Sequence, residues 1–290
     1  MSYQPGRPRV VTKVDELRDV LRAVRREGRT IGLVPTMGAL HDGHLSLVRA
    51  SREECDYTVV SIYVNPSQFG PSEDLEQYPR TLEADLDALA EYETPLVFAP
   101  TSDEAYPAGY ATWVEVGSAA EPLEGECRPG HFRGVATIVL KLFNMVQPDV
   151  AYFGQKDYQQ AQVIRRMVED LNVPIAIRVC PIVREPDGLA MSSRNAYLSP
   201  AERHRALVLW NSLCLASELV AGGERDAAVV AERMRDVILS AEDARIDYVA
   251  LVDPDTLAPV EAIRGRTLAV LAVHVGQTRL IDNRLLEPEP

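Results

Sequence analysis

The sequence predicts an α/β fold: a doubly wound, Rossmann-like parallel sheet followed by a second, smaller α+β domain. Three observations predict it. Over the first two-thirds of the 290 residues, short β-rich runs alternate with helical patterns, which is the order that repeated βαβ units impose. Two polar, glycine-bearing motifs follow predicted strands directly and open predicted helices, the place where open α/β sheets hold ligands. After about Val183 the texture changes to alanine-rich helical stretches followed by strand-like runs.

Residues 30–35 (TIGLVP) read as a buried strand, followed by a turn carrying glycine and histidine and then a helix through Leu45, Leu47 and Val48. Residues 57–64 (YTVVSIYV) form a second strand and 95–99 (PLVFA) a third. Phe132, Val135, Val139, Leu142, Phe143 and Val146 recur at helical spacing, so residues 131–146 form an amphipathic helix. Residues 149–153 are the next strand, Asp157 is the expected N-cap of a helix through Ile164, Met167 and Val168, and residues 175–183 complete the alternation. The domains are therefore 1–182 and 183–290. The second holds helical stretches at 201–221 and 227–241 and strands at 246–252 and 267–275. The first ten or so residues and the 288–290 tail are expected to be mobile.

A formal charge of −13 argues against a nucleic-acid partner, which would require a basic stripe. No apolar run approaches the roughly 20 residues of a membrane helix. Residues 1–9 are polar, with no apolar stretch behind them that could serve as a signal peptide, so a cytoplasmic location is expected. Cys55, Cys127, Cys180 and Cys214 form no C-x-x-C pair and read as free thiols. In so acidic a chain, an anionic substrate has to be met by a local cluster of donors.

Such clusters occur in three places. Residues 35–44 (PTMGALHDGH) follow a strand and open a helix, whose N-terminal N–H groups and partial positive charge suit phosphate. His41 and His44, three apart, share a face, and Gly43 leaves room for a flat base or ribose. Either histidine alone reads as a core residue, the glycines would make a turn in any case, and zinc would lack a third ligand nearby. Residues 153–160 (FGQKDYQQ) again stand at a strand end. Lys156 offers a point charge to phosphate and Asp157 an acceptor for ribose hydroxyls, although a surface lysine and a simple cap are the plainer alternatives. Residues 191–195 (MSSRN) supply two hydroxyls, backbone N–H groups and Arg194, the makings of a pyrophosphate cradle. The P-loop pattern is absent.

HDGH and MSSRN resemble the HIGH and KMSKS signatures of the nucleotidylyl-transfer superfamily. More narrowly, the chain resembles the pantoate–β-alanine ligase family over nearly its whole length. PTMGALHDGH, VNPSQF, YPRT, RPGHFRGV, FGQKDYQQ, MSSRN with AYLS behind it, and TRLIDN follow one another in the family's order. The resemblance implies ATP and Mg²⁺, a pantoyl-adenylate, its transfer to β-alanine, and a homodimer. It implies that His41, His44, Lys156, Ser192, Ser193 and Arg194 face the triphosphate. Gly154 and Asp157 then hold the ribose and the backbone near Val183 the adenine. Pro35, Thr36, Met37, Gly43, Gln155 and Met191 complete the ATP contacts, with Met37 close to the reacting carboxylate. Gln68 and Gln160 grip pantoate, while Asn65, Arg128 and His131 lie near the acyl and amine sites. The family commonly carries an acidic pair after YPRT that binds Mg²⁺. Here those positions read Ala84 and Asp85, leaving Asp85, with Glu83 beside it, as the expected metal contact. The alternatives are an adenylyltransferase acting on a phosphorylated acceptor, a tRNA synthetase, or a nucleotide-binding module without catalysis.

Overall fold

Short runs of β-branched and aliphatic residues become strands because their side chains fit a pleated surface buried on both faces. The computed structural model describes residues 6–71 and 73–288. In chain order the first part contains β1 (Arg9–Val11), α1 (Val14–Arg26), β2 (Ile31–Thr36), α2 (Asp42–Glu54), β3 (Tyr57–Ile62), α3 (Leu82–Glu91), β4 (Leu96–Phe98), α4 (Ser102–Ala105), α5 (Glu124–Cys127), α6 (His131–Val146), β5 (Val150–Gly154), α7 (Tyr158–Asp170) and β6 (Ala176–Cys180). The six strands are all parallel, in the order β1-β4-β3-β2-β5-β6. The order reverses between β2 and β5, so the sheet is doubly wound.

Helices cover both faces. Val34, Val60 and Val97 pack with Leu45, Val48, Leu86 and Leu89 of α2 and α3. Their strand neighbours Leu33, Val59, Leu96 and Phe98 are equally buried and point the other way by the two-residue period, the side on which α1 packs against α6 and α6 reaches β2.

The chain divides into two compact units. One runs to Gly154 and resumes at Gln160–Pro181; the other comprises Gln155–Gln159 and the chain from Ile182 onward. The second unit adds α8 (Pro200–Arg205), α9 (Leu207–Ala221), α10 (Ala227–Leu239), β7 (Ala244–Val252), β8 (Thr267–Val275) and β9 (Thr278–Leu286). Its three strands form an antiparallel sheet in the order β7-β8-β9. Leu209, Leu213 and Ala216 of α9 and Val230, Met234 and Ile238 of α10 bury against Val249, Leu251, Leu271 and Val273 of that sheet.

Helix 131–146 lies where periodicity puts it. The first helical stretch of the smaller domain has a break at Ala206, giving α8 and α9. Elements β1, α1, α3, α4, α5 and β9 carry no expectation from the sequence. The N-terminal stretch expected to be mobile contributes β1, an edge strand paired with β4; residues 1–5 and 289–290 lie outside the described residues. Strand β9 is concealed by its polar alternation, TRLIDN, and it closes a hairpin with β8 across the two residues Gly276 and Gln277.

Candidate active site

The loop from β2 to α2 is held in an unusual backbone shape. Gly38 and Ala39 both have positive φ, 85° and 50°; glycine takes this readily, whereas alanine pays roughly 1–2 kcal/mol for the left-handed conformation. What keeps it there is Asp85 on α3. Its carboxylate accepts the N–H of Leu40 at 2.8 Å and of Ala39 at 3.1 Å, and the hydroxyl of Thr81 at 3.2 Å. Thr36 anchors the near end, donating to the Ser61 carbonyl at 2.7 Å and accepting from Gly38 N–H at 3.2 Å.

This loop delivers His41 as the N-cap of α2. Gly43 N–H donates to His41 Nδ1 at 3.2 Å, and His41 N–H donates to His44 Nδ1 at 3.4 Å, a reciprocal capping box built from two histidines. The rings lie 4.1 Å apart. Because each Nδ1 accepts from a backbone N–H, the neutral rings carry their proton on Nε2. The helix end thus carries two imidazole N–H donors in addition to its own amides.

A second set of side chains converges beside the end of β2. Gln68 donates from Nε2 to Met37 Sδ at 3.2 Å, and its Oε1 accepts from Asn65 Nδ2 at 3.0 Å. Asn65, 1% exposed, also donates to the Gly134 carbonyl at 3.2 Å and accepts from the Tyr106 hydroxyl at 2.9 Å. The approach of α6 to the turn Pro66–Gln68 depends on Gly134, since a Cβ there would stand 2.2 Å from the Ser67 carbonyl oxygen and 2.7 Å from Gln68 Cα.

His131, at the start of α6, meets the Gln68 carbonyl through Nδ1 at 2.8 Å and Arg128 Nη1 through Nε2 at 3.1 Å. An arginine N–H facing Nε2 requires a lone pair there, so the ring is neutral and Nδ1–H donates to the carbonyl. Burial, reinforced by the Arg128 charge, lowers its pKa to about 4. Arg128 itself grips Glu73 through two N–H donors at 2.9 and 2.6 Å, with Glu124 at 3.5 Å. Its guanidinium is therefore committed to carboxylates of this chain.

The second unit holds MSSRN and the Gln155–Gln159 part of FGQKDYQQ. Gln155–Asp157 forms one tight helical turn, with Lys156 Nζ 3.7 Å from Asp157 Oδ2. Asp157 immediately precedes α7. Residues 183–191 make a narrow hairpin: Met191 N–H donates to the Val183 carbonyl at 3.0 Å and Glu185 N–H to the Leu189 carbonyl at 2.8 Å. MSSRN leaves this hairpin, with Ser192 capping a short turn by accepting from Arg194 N–H at 3.3 Å. Asn195 Nδ2 closes the loop onto Glu185 Oε1 and the Ala190 carbonyl at 3.0 and 3.1 Å.

The expected site residues thus fall into two groups. Pro35, Thr36, Met37, His41, Gly43, His44, Asn65, Gln68, Asp85, Arg128, His131, Gly154 and Gln160 belong to the first unit, and Gln155, Lys156, Asp157, Val183, Met191, Ser192, Ser193 and Arg194 to the second. Gln160 lies on α7 and is half-buried. Sequence reading missed Tyr106, Glu73 and Glu124, which support Asn65 and Arg128, because nothing local marks them.

Asp85, the expected metal contact, is 2% exposed, and its oxygens accept three hydrogen bonds. Ala84 carries no carboxylate, and Glu83 is exposed and paired with Arg7 at 3.0 Å. Among the described residues no three His, Cys, Asp or Glu side chains group to hold a metal ion.

Comparison with known proteins adds a family. The model of the pantoate-beta-alanine ligase family matches residues 9–285. A pantothenate synthetase of Moorella thermoacetica is 59% identical, covering 93% of this chain and 96% of the relative. That of Acetivibrio thermocellus is 55% identical over 96% and 99%. Among solved structures, a pantothenate synthetase from Thermus thermophilus superposes with a TM-score of 0.92 at 46% identity, covering 97% of this chain and 100% of that one. A Francisella tularensis pantoate-beta-alanine ligase complexed with beta-gamma ATP and beta-alanine gives 0.81 at 32% identity over 96% and 97%.

Two outcomes follow from this geometry. Gly134→Ala forces Cβ into backbone that cannot yield; despite better helix propensity, it is expected to lower stability by about 1–3 kcal/mol in urea unfolding. For His131 the folded pKa of about 4 lies below the ordinary 6.5, so the unfolded chain binds the proton more readily between those values. Its contribution is complete above pH 6.5 and is lost as pH falls toward 4, at most about 3 kcal/mol. His131→Gln should therefore show a shallower loss of stability than the native protein across that window.

Proposed function

The chain belongs to the pantoate-beta-alanine ligase family, and from that membership we infer that it condenses pantoate with β-alanine, using ATP and passing through an enzyme-bound pantoyl-adenylate. A carboxylate is a poor acyl donor because its leaving group would be oxide, so activation precedes amide formation. A pantoate carboxylate oxygen attacks the α-phosphorus, and the bond from that phosphorus to pyrophosphate breaks. The amine of β-alanine then attacks the acyl carbon, losing a proton as the amide forms, and AMP leaves with the former carboxylate oxygen.

The observation that carries this reading is the pairing, at the carboxyl end of β2, of a helix N-terminus bearing two imidazole rings with the Met37–Gln68–Asn65 chain. The first suits a phosphate under attack. The second offers amide groups to a hydroxy acid. In this reading His41, His44, Lys156, Ser192, Ser193 and Arg194 spread charge over the triphosphate. Pro35, Thr36, Met37, Gly43, Gln155 and Met191 line the nucleotide, Gly154 and Asp157 hold the ribose and the backbone at Val183 the adenine. Gln68 and Gln160 hold pantoate. Asn65 and His131 shape the acyl and amine region, and Arg128, tied to Glu73, acts by holding His131 and Gln68 in place. No residue is required as a covalent nucleophile, because the substrate itself attacks.

Mg²⁺ enters this reading with the phosphate oxygens of ATP and not through a resident site, since Asp85 is occupied with loop amides. Catalysis by a homodimer in the cytoplasm belongs to the same reading; four free cysteines are at ease in a reducing compartment.

The deciding experiment is pyrophosphate exchange into ATP. It is expected to require pantoate and to proceed without β-alanine, and oxygen label in pantoate's carboxylate is expected in AMP. Replacing His44 or Lys156 by Ala should lower the exchange rate by about 10²–10³ while the fold persists. Exchange that depends on β-alanine, or near-native rates in both variants, would overturn the reading. A separate measurement addresses the metal. Asp85→Ala strands two part-buried amides, which costs about 1–3 kcal/mol of stability, and kcat should fall as the histidine loop loosens. The Mg²⁺ concentration giving half-maximal exchange should stay where it is; a marked rise would make Asp85 a metal ligand.

A further inference from the structure

The TRLIDN segment has no part in the chemistry above, yet two of its residues are among the most buried polar groups of the second unit: Asp282 and Asn283, each 3% exposed. Both lie on β9, and their partners across the ladder are Leu271 and Val270. Residues paired in an antiparallel ladder share a face. Leu271 belongs to the core beneath α9 and α10, so Asp282 faces the helices and Asn283 the opposite side of the sheet.

On the helix side, Asp282 takes Arg184 in a two-pronged ion pair, Oδ2 to Nη1 at 2.6 Å and Oδ1 to Nη2 at 2.9 Å. Arg184 also donates to the Gly188 carbonyl at 3.0 Å and stacks over the Trp210 ring at 4.0 Å. The hairpin that carries MSSRN is thereby clamped to β9. On the other side, Asn283 Nδ2 donates to the carbonyls of Gln155 at 2.9 Å and Lys156 at 3.0 Å, and its Oδ1 accepts from Gln155 Nε2 at 3.2 Å. The turn between β5 and the body of α7 is thus held by a strand more than a hundred residues away. This is the physical reason why Gln155–Gln159 group with the second unit.

We propose that Asn283 is a positioning residue for Lys156: by fixing the carbonyls of Gln155 and Lys156 to β9, it sets where the Lys156 ammonium stands, in one frame with the Asp282-clamped hairpin of the MSSRN loop. The proposal rests on the functional reading above, in which Lys156 meets the triphosphate. A flexible lysine on an isolated turn would spread its charge over many positions. An asparagine is suited to the task because its amide presents two N–H donors to two carbonyls and still keeps an acceptor for the Gln155 side chain. The substitution Asn283→Asp would keep the shape and set carboxylate oxygen against those carbonyls.

The test compares native protein, Asn283→Ala, Lys156→Ala and the double variant in pantoate-dependent pyrophosphate exchange, with amide hydrogen exchange of residues 154–160 measured on each. Asn283→Ala is expected to lower kcat about 10- to 100-fold, the scale on which misplacement of a catalytic group acts, with KM for pantoate unchanged. In the Lys156→Ala background the same substitution should have no further effect, because Asn283 acts through that ammonium. Amide exchange in 154–160 should quicken wherever Asn283 is replaced. If Asn283→Ala does not fold, Asn283→Asp carries the same comparison. Native-like kcat with Asn283 replaced, or losses that multiply in the double variant, would overturn the proposal. If Lys156→Ala is itself native-like, the functional reading falls instead, and quickened amide exchange would still show the anchor.

Discussion

Strand β2 pairs with β3 on one side and with β5 on the other, and this central position constrains everything built on the first unit. A parallel sheet requires crossover connections, and their fixed handedness sends successive crossovers to one face until the strand order reverses. The reversal between β2 and β5 leaves the loops at their carboxyl ends without a connection closing over them. One of these loops carries the two histidines, and the other leads into Gln155–Asp157. Polar backbone can collect at these two loops because the sheet leaves the carboxyl ends of β2 and β5 open.

Backbone placed for ligand binding has to be held by something other than sheet or helix ladders. In this protein the holding groups are single polar side chains: the buried Asp85 on the amides of Ala39 and Leu40, the half-buried Asn195 on the base of the MSSRN loop, and the buried Asn283 on the carbonyls of Gln155 and Lys156. A net hydrogen bond is worth only about 1 kcal/mol, but a buried group deprived of its partner costs about 1–3 kcal/mol. The asymmetry makes such pins specific: they add little to overall stability while strongly disfavouring alternative loop conformations.

The charge distribution follows a similar economy. In a chain with a formal charge of −13, several arginines are held by carboxylates. Arg128 is paired with Glu73, Arg184 with Asp282, and Arg203 with Glu185 and Asp187. These arginines fix architecture, and in the proposed reading an anion is met by other donors, among them the imidazole and backbone N–H groups at the start of α2. Donors of that kind act at short range and are set by geometry, so the acidity of the rest of the surface, screened beyond a Debye length of about 8–10 Å, does not cancel them.

The sequence by itself determined β2, α2, β3, β4, α6, β5, α7 and β6 of the first unit, the strand 267–275, and the motifs that mark the family. These are local properties: periodicity, turn chemistry and short blocks are written in neighbouring residues. It also concealed α1, whose buried face of Leu17, Leu21 and Val24 is narrow and set among charges, and β9, whose alternation is interrupted by buried polar groups. Only the tertiary structure decided which side chains hold the site. Asp85 lies 45 residues from Leu40 and Asn283 lies 127 from Lys156. Gly134 is a glycine because the backbone of Ser67 and Gln68 passes within van der Waals distance of its missing side chain. Such pairings leave no trace in a local pattern, because a hydrogen bond or a steric limit across the fold depends on where the chain returns, and that is settled by the packing of the whole sheet.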